Sequence, residues 1–165
     1  MTDRAWVYEG TQMGLETVKG VQPVSGAKKK LQAFSIMPSI TTETDEYAPG
    51  GYKYNTVVIN GKEWTTATID GRGAFNDMTY PLAGMFGDVA TTTPADAPDA
   101  RVRQWSPNTT GADDPETFYI QSGSASGAEA FTYGLMNARS RTINRTAVEI
   151  GGSLLGQLST EGVTM

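Results

Sequence analysis

The run of residues 55–71 constrains the fold more than any other part of this chain. It reads N-T-V-V-I-N-G-K-E-W-T-T-A-T-I-D-G, with β-branched and aromatic residues on both sides of Asn60-Gly61. Asn-Gly is a strong hairpin signal because both residues tolerate the positive φ angles of a type I′ turn. The pattern predicts a hairpin with strands 56–59 and 62–69, closed by a second turn at Asp70-Gly71. It therefore predicts a β protein.

The composition excludes several kinds of chemistry. The 165 residues include no His and no Cys, which removes imidazole bases, thiol nucleophiles, disulfides and most transition-metal sites. With 38% hydrophobic and 19% charged residues, the chain fits one globular domain with a sizeable core. The formal net charge of −5 opposes tight binding to nucleic acid, because such binding depends on neutralising phosphates. No apolar run reaches the roughly 18 residues that span a bilayer.

Other segments carry weaker strand signals. Residues 1–29 have scattered glycines and apolar residues and predict an extended N-terminal arm, followed by a single domain over 30–165. The last residues look like the start of a further strand, which leaves open a truncated C-terminus. Alternation or β-rich composition predicts strands at residues 31–37 (ended by Pro38), 102–105, 118–121, 131–135 and 143–158, with a turn at 122–127.

Residues 80–86 are the one segment with a helix signal. Pro81 suits the first turn, where its missing N–H costs nothing, and apolar residues recur at i, i+3 and i+4. Thr79 is the expected N-cap, and Gly87 is the expected stop. Together the segments predict a mainly β fold, an antiparallel β-sandwich or barrel with one short peripheral α-helix.

Residues 41–54 are polar, acidic and aromatic, and the sequence predicts a long loop there. Long loops in compact domains are usually functional or disordered, and aromatic residues are depleted in disordered segments. We therefore expect a partner to order this loop. The residues expected to contact that partner are Glu43, Asp45, Glu46, Tyr47, Tyr52 and Lys53.

No catalytic, metal-binding or cofactor-binding constellation emerges. Residues 123–127 place Ala125 where the serine of a nucleophile elbow would stand, and no His can act as its base. The acidic clusters at residues 43–46 and 113–116 favour solvated faces over a pair of catalytic carboxylates. Residues 108–116 could offer oxygens to Ca²⁺, but they lack the spacing of a calcium loop. The sequence predicts no cofactor.

Arginines occur in pairs at alternating positions. Arg101 and Arg103 share a face of one predicted strand, and Arg139 and Arg141 share a face of another, with Arg145 nearby. Aromatic residues are not interleaved among them, and the net charge is negative. We expect Arg139, Arg141 and Arg145 to pair with carboxylates of the same or a neighbouring subunit rather than with nucleic acid.

The order of these segments resembles the major tail tube proteins of long-tailed (siphovirus-type) bacteriophages, particularly those that infect actinobacteria. The resemblance extends over about residues 30–160 and lies in the order and spacing of its motifs. The matching stretches are Lys30–Ile36 before the acidic Tyr/Pro/Gly loop, Lys62–Ala67 closing on Ile69–Gly71, Tyr80-Pro81-Leu82, Phe131–Leu135 and Val148–Gly156.

The resemblance implies a structural virion protein without enzymatic activity. Such proteins form hexameric rings of β-sandwiches whose inner strands join into one barrel, and the rings stack through a long loop and the chain termini. Phage DNA passes transiently down the lumen. The implied partners are further copies of the chain, a tape-measure protein, and tail terminator and distal tail proteins, with no membrane. The implied location is the phage tail, and the host cytoplasm during assembly.

Three alternatives stay open. A carbohydrate-binding β-sandwich module could use Trp6, Trp64 and Trp105 as a sugar platform, although Trp64 is more simply read as a core residue. A head–tail connector is another ring protein of the same virion. A hydrolase that relies on carboxylates alone is the third alternative.

Overall fold

The computed structural model describes residues 10–27, 29–87, 89–112, 114–124, 127–163 and 165. Most of these residues lie in strands, and one short helix interrupts them. The elements are β1 (Gly10–Leu15), β2 (Lys29–Lys30), β3 (Phe34–Tyr47), β4 (Val57–Arg72), α1 (Thr79–Phe86), β5 (Ala90–Thr92), β6 (Val102–Gln104), β7 (Phe118–Ser124), β8 (Gly127–Ile143), β9 (Val148–Gly156) and β10 (Thr160–Val163).

The strands form two antiparallel layers that share β8. Sheet A contains β2, β1, β7, the first part of β8 and β10. Sheet B contains the second part of β8, then β9, β4 and β3. The strands β5 and β6 make a separate small hairpin. This confirms the predicted fold class, a mainly β sandwich with one short helix.

The core lies between the two sheets and is built from the residues that face inward on alternate positions. Ile36 and Ile69 contribute from sheet B, and Phe118 and Ile120 contribute from sheet A, each with at most 2% of its surface exposed. Burying such side chains is the main term that stabilises the fold. Residues 10–15, within the segment expected as an extended arm, form β1, and Met13 belongs to this core. Residues 1–9 lie outside the described part of the chain.

A buried carboxylate fixes the point where β8 passes from one sheet to the other. The φ angle of Tyr133 is +58°, a left-handed conformation that is unusual for a non-glycine residue. Its N–H donates to Oε1 of Glu16 at 2.7 Å, while Oε2 of Glu16 accepts from Gly20 N and Thr117 Oγ1, both at 2.7 Å. Pairing of β8 with β7 ends at Gly134, one residue beyond this bend.

The predicted turn at Asn60-Gly61 is wrong. Both residues lie inside β4, and the chain reverses between Tyr47 and Val57 instead. Pairing shifts between Thr42 opposite Glu63 and Thr44 opposite Asn60, so β4 carries an extra residue there. A β-bulge is another place where a flexible Asn-Gly pair fits, because the strand kinks locally.

The predicted turn at Asp70-Gly71 is also wrong, because β4 continues through it to Arg72. Gly71 has a φ of +148°, and a Cβ there would lie 2.5 Å from the Cα of Phe34. The glycine is needed for close approach of the two strands rather than for a turn.

Pro38 does not end the first predicted strand, since β3 runs through it to Tyr47. The neighbouring Ile36 directs its backbone away from β4: its N–H donates to Thr11 Oγ1 at 3.2 Å, and its carbonyl accepts from Ser122 Oγ at 2.9 Å. Backbone groups that point away from β4 recur at every second residue, so the backbone nitrogen of Pro38 also points away from β4. Its missing N–H therefore costs no bond to β4, which is why this edge strand tolerates proline.

The helix forms where the sequence predicts it, over Thr79–Phe86. Thr79 is not the N-cap, because Met78 takes that position and the Thr79 hydroxyl donates to the Asn76 carbonyl at 3.2 Å. Gly87 does end the helix, with a φ of +75° and its N–H bonded to the Ala83 carbonyl. The predicted strands at 118–121 and 131–135 are confirmed within β7 and β8, and the one at 102–105 is confirmed up to Gln104 in β6. The strand predicted over 143–158 is wrong as one element, because residues 144–147 form the turn that separates β8 from β9. The turn predicted at 122–127 includes residues outside the described part.

Asp77 holds the start of α1 against the edge of sheet B. Its buried carboxylate accepts from the backbone N–H groups of Gln32 at 2.8 Å and Ala33 at 3.1 Å, and Lys29 Nζ lies 3.7 Å away. Burial raises the pKa of the neighbouring Tyr80 phenol, and the Asp77 charge raises it further. The Tyr80 ring meets Phe118 edge to face at 6.1 Å, which ties α1 to the core.

Candidate assembly surfaces

A two-stranded projection extends from sheet B. The last pair between β4 and β9 is Thr65 with Gly156, yet the β3–β4 ladder continues to Tyr47 opposite Val57. Eight residues at 3.3–3.4 Å each extend the ladder by about 26 Å. We call residues 41–63 the arm, which is a different segment from the extended N-terminal arm predicted at residues 1–29. Its side chains are almost all exposed, so within the described residues nothing packs against it.

The contact residues predicted from sequence lie on this arm, but the predicted loop is partly wrong. Residues 41–47 belong to β3, and only residues 48–56 form the tip. Glu43, Asp45 and Tyr47 share one face of the hairpin, Glu46 lies on the other, and Tyr52 and Lys53 lie at the tip. The Lys53 ammonium is 5.7 Å from the centre of the Tyr54 ring, a cation–π contact that orders the tip locally.

Sequence reasoning missed the hydrophobic part of the arm. Val58 and Ile59, interpreted as residues of an ordinary half-buried strand, are 60% and 51% exposed. Asp45 lies opposite Ile59, and Glu46 lies opposite Val58, so each face carries an acidic and an aliphatic neighbour. Exposed aliphatic side chains on an extended hairpin are typical of a surface that a partner covers.

The face of sheet B that points away from the core is uncovered by any described element, and we call it the polar face. Side chains with hydroxyl groups are the most numerous on it, and two of them, Thr41 and Thr66, bond to each other at 3.2 Å. Its charged residues are Asp70, Glu149 and Arg72, and Arg72 lies opposite Glu149 in the β4–β9 register at the end of the sheet. Further members are Ser39, Thr68, Ser140, Thr142, Gly151 and Ser153, and the face also carries the apolar side chains of Met37, Trp64 and Leu155.

Sheet B has two open edges. On one side β3 pairs only with β4, and beyond Pro38 no described residue bonds to its outer edge. On the other side β7 stops pairing with β8 at Gly134, so residues 135–143 pair with β9 alone among the described strands. Open edges of this length invite pairing with another chain.

Arg139 and Arg141 lie on the core-side face of sheet B, opposite Gly152 and Ile150. Burial lowers the pKa of the Arg139 guanidinium, and the charge of Arg141 lowers it further. Arg145 is exposed in the turn between β8 and β9. Among described side chains, the ion pairs are those of Lys19 with Asp114 and Lys29 with Asp77, so none of the three arginines has its expected partner within the described chain.

Three arginines from two distant segments meet in one pocket of about 450 Å³, which we call the arginine pocket. Arg101 and Arg103 come from the β5–β6 hairpin, Arg141 comes from β8, and Asp99 is the one carboxylate in the lining. The apolar wall includes Phe75, Leu82 and Trp105. The Trp105 Nε1–H is buried without a hydrogen-bond partner.

The other sequence hypotheses find less support in the geometry. No group of three acidic residues that could hold a metal occurs in the described part of the chain. Asn108 Oδ1 accepts from Thr110 N and Gly111 N, so it braces its own loop. Trp64 is half-buried on the outer side of sheet B rather than in the core, and it lines a different pocket from Trp105. Trp6 lies outside the described residues.

No described helix is long and apolar enough to cross a bilayer. In comparisons with known proteins, no family model matches the chain and no curated protein gives a significant match.

Proposed function

We propose that this chain is a structural virion protein, the subunit of a phage tail tube that assembles itself into stacked rings. The observation that carries the proposal is the pair of open edges on opposite sides of sheet B. The resemblance of the sequence to tail tube proteins supplies the biological setting, and the three surfaces described above supply the physical argument.

The strand directions of sheet B suit lateral pairing between copies. Successive antiparallel pairs make β3 and β9 run one way and β4 and β8 run the other. When a second copy stands beside the first in the same orientation, its β3 meets the open edge of β8 antiparallel. Repeating this step around an axis gives a closed barrel, which removes both open edges of sheet B.

The polar face suits the lumen of such a barrel. The core-side face is covered by sheet A and α1, so closure leaves the polar face toward the axis. Its small hydroxyl side chains leave room, and its two carboxylates, Asp70 and Glu149, outnumber its one cation, Arg72. Acidic groups repel DNA phosphates, whereas a DNA-binding surface would attract them. DNA could then pass along this lumen without sticking.

The arm suits contact between successive rings. It extends about 26 Å along the strand direction beyond β9, and it carries exposed tyrosines, aliphatic residues and carboxylates. By the resemblance, the rings are hexameric, and they enclose a tape-measure protein and meet terminator and distal tail proteins at the two ends of the tube.

Negative-stain electron microscopy of the purified chain, held concentrated, tests the assembly. We expect uniform rings or hollow tubes, with a light-scattering mass that is a multiple of the subunit mass. Rings that never stack would favour the head–tail connector instead. A persistent monomer in both measurements would contradict the proposal.

One substitution tests the edge argument. Ile40 lies two residues after Pro38, so its N–H points outward by the same alternation, and Ile40→Pro removes one donor from the open edge. We expect rings to fail while far-UV circular dichroism stays that of the parent. Ile40→Ala is the matched control, because it removes the same side chain and keeps the N–H. If the Ile40→Pro variant forms rings normally, the copies do not pair laterally through β3.

A further inference from the structure

We infer that the arginine pocket is the acceptor site for the arm of a second copy. This inference rests on the proposed function and deepens it, because it names the surface on the next ring that receives the arm. Charge, apolar surface and position each contribute a separate argument.

The charges of the two surfaces are complementary. The pocket brings three guanidinium groups together beside one carboxylate, Asp99, in a chain whose net charge is −5. Of these groups, Arg101 donates to the carbonyls of Pro98 and Ala100 at 2.8 Å, while Arg103 and Arg141 make no ion pair with a described carboxylate. Guanidinium groups bind carboxylates in a planar, bidentate manner, and this geometry gives specificity as well as energy.

The arm offers the matching groups. Glu43 and Asp45 share one face of the hairpin, are exposed and make no ion pair with a described cation. Like charges gathered in one place repel each other, and a carboxylate from another chain relieves that repulsion. We therefore assign Glu43 and Asp45 as partners of Arg103 and Arg141.

The apolar parts match as well. Phe75 is 85% exposed at the rim of the pocket, and Trp105 forms part of its wall with an unpartnered indole N–H. On the arm, Tyr52 is 65% exposed, and its ring can cover this apolar rim.

The positions of the two surfaces favour a contact between copies. The arm leaves sheet B at the end where Thr65 meets Gly156. Arg141 lies opposite Ile150, which pairs with Gly71, at the other end of the same sheet. The arm therefore points away from the pocket of its own chain. A contact between different patches at opposite ends propagates in one direction and builds a stack rather than a closed dimer.

Two charge-reversed variants test the contact in the full-length chain. One carries Glu43→Lys and Asp45→Lys and keeps an intact pocket, and the other carries Arg103→Glu and Arg141→Glu and keeps an intact arm. Each variant alone is expected to lose association along the stack by at least about tenfold, because truncated or reversed charge pairs cost that much. In a mixture of the two, both contacts regain opposite charges, because the acidic arm of one variant meets the arginine pocket of the other and the reversed arm meets the reversed pocket. The mixture is therefore expected to restore an alternating stack, seen as a light-scattering mass well above that of either variant alone.

The controls separate this inference from the proposed function. Lys30→Glu makes the same kind of charge change on β2, outside the pocket, and is expected to leave association unchanged. Circular dichroism checks that each variant is folded. A mixture that stays at the mass of its components overturns the inference, and so does titration with inorganic phosphate that fills the pocket without affecting association of the parent chain. Rings that stack normally despite Arg103→Glu and Arg141→Glu overturn it while the tail tube function stands. A mixture that pairs when the parent forms no rings supports the contact and contradicts the tube.

Discussion

The two halves of the β3–β4 ladder contain the same kinds of residue in the same kind of pairing but have opposite surroundings. In the half at the base, Ile36 and Ile69 are at most 2% exposed. In the outer half, Val58 and Ile59 are 60% and 51% exposed. Sheet A covers the first half, and no described element covers the second. The comparison shows that a strand can form without a core beneath it, and that the uncovered half is available to a partner.

The acidic residues divide in the same way. Glu16 is 4% exposed and Asp77 is 1% exposed, and both accept backbone N–H bonds that hold the sandwich together. Glu43, Asp45 and Glu46 are exposed on the arm. We therefore expect substitutions at the base to change the free energy of unfolding, and substitutions on the arm to change assembly.

The largest expected effect is the loss of stability when a core side chain is shortened. Ile69→Ala should lower the free energy of unfolding by about 2–5 kcal/mol, because it leaves a cavity between the sheets. Ile59→Ala, the same substitution in the outer half of the ladder, should stay within about 0.5 kcal/mol. Denaturant unfolding of both variants measures the difference. Equal losses at the two sites would show that the arm is packed in solution.

A second pair of substitutions compares two glycines. Gly71→Ala should cost about 1–3 kcal/mol, since its φ is +148° and a Cβ would meet Phe34 and Ala33 within 2.7 Å. A Cβ at Gly50, in the tip of the arm, would meet no atom within 4 Å. Gly50→Ala should therefore be neutral or gain about 0.4–1 kcal/mol. Thermal unfolding of the two variants gives the sign of each change, and a neutral Gly71→Ala would contradict the close approach.

A third pair compares carboxylates. Both oxygens of Glu16 accept hydrogen bonds, so Glu16→Gln places an amide NH₂ against at least one donor. We expect a cost of about 1–3 kcal/mol in unfolding free energy. Glu43→Gln on the arm should cost at most about 0.5 kcal/mol. If urea midpoints shift equally for both, Glu16 does not hold the bend of β8.

The last substitutions, of two tyrosines on the arm, should change stability least and assembly most. Tyr47→Ala with Tyr52→Ala should leave the unfolding transition within about 0.5 kcal/mol, because both side chains are exposed. Tube growth, followed by electron microscopy, should stop, since the tyrosines supply the contact area of the arm. Normal tubes from this double variant would exclude the tyrosines from the contact between rings.

Residue patterns predicted much of the fold and part of the candidate site. The β class, the helix at Thr79–Phe86 and the exposed acidic and aromatic segment follow from local chemistry. The turn positions do not, because Asn60-Gly61 fits a bulge as well as a turn, and Gly71 fits a close approach. The arginine pocket could not be predicted from the sequence either. Arg101 and Arg141 are far apart in the chain, and only the packing of the β5–β6 hairpin beside β8 brings them together.

The sequence by itself determined the β class, the position of the one helix and the side-chain chemistry that the chain lacks, because alternation and residue type act over a few neighbouring positions. It did not predict the strands at residues 10–15 and 41–47. The tertiary structure alone decided which half of the β3–β4 ladder is buried, where the chain reverses, and which edges of sheet B stay open. The physical reason is that burial and strand pairing depend on contacts between residues far apart in the chain, and no local pattern specifies which distant segment will provide them.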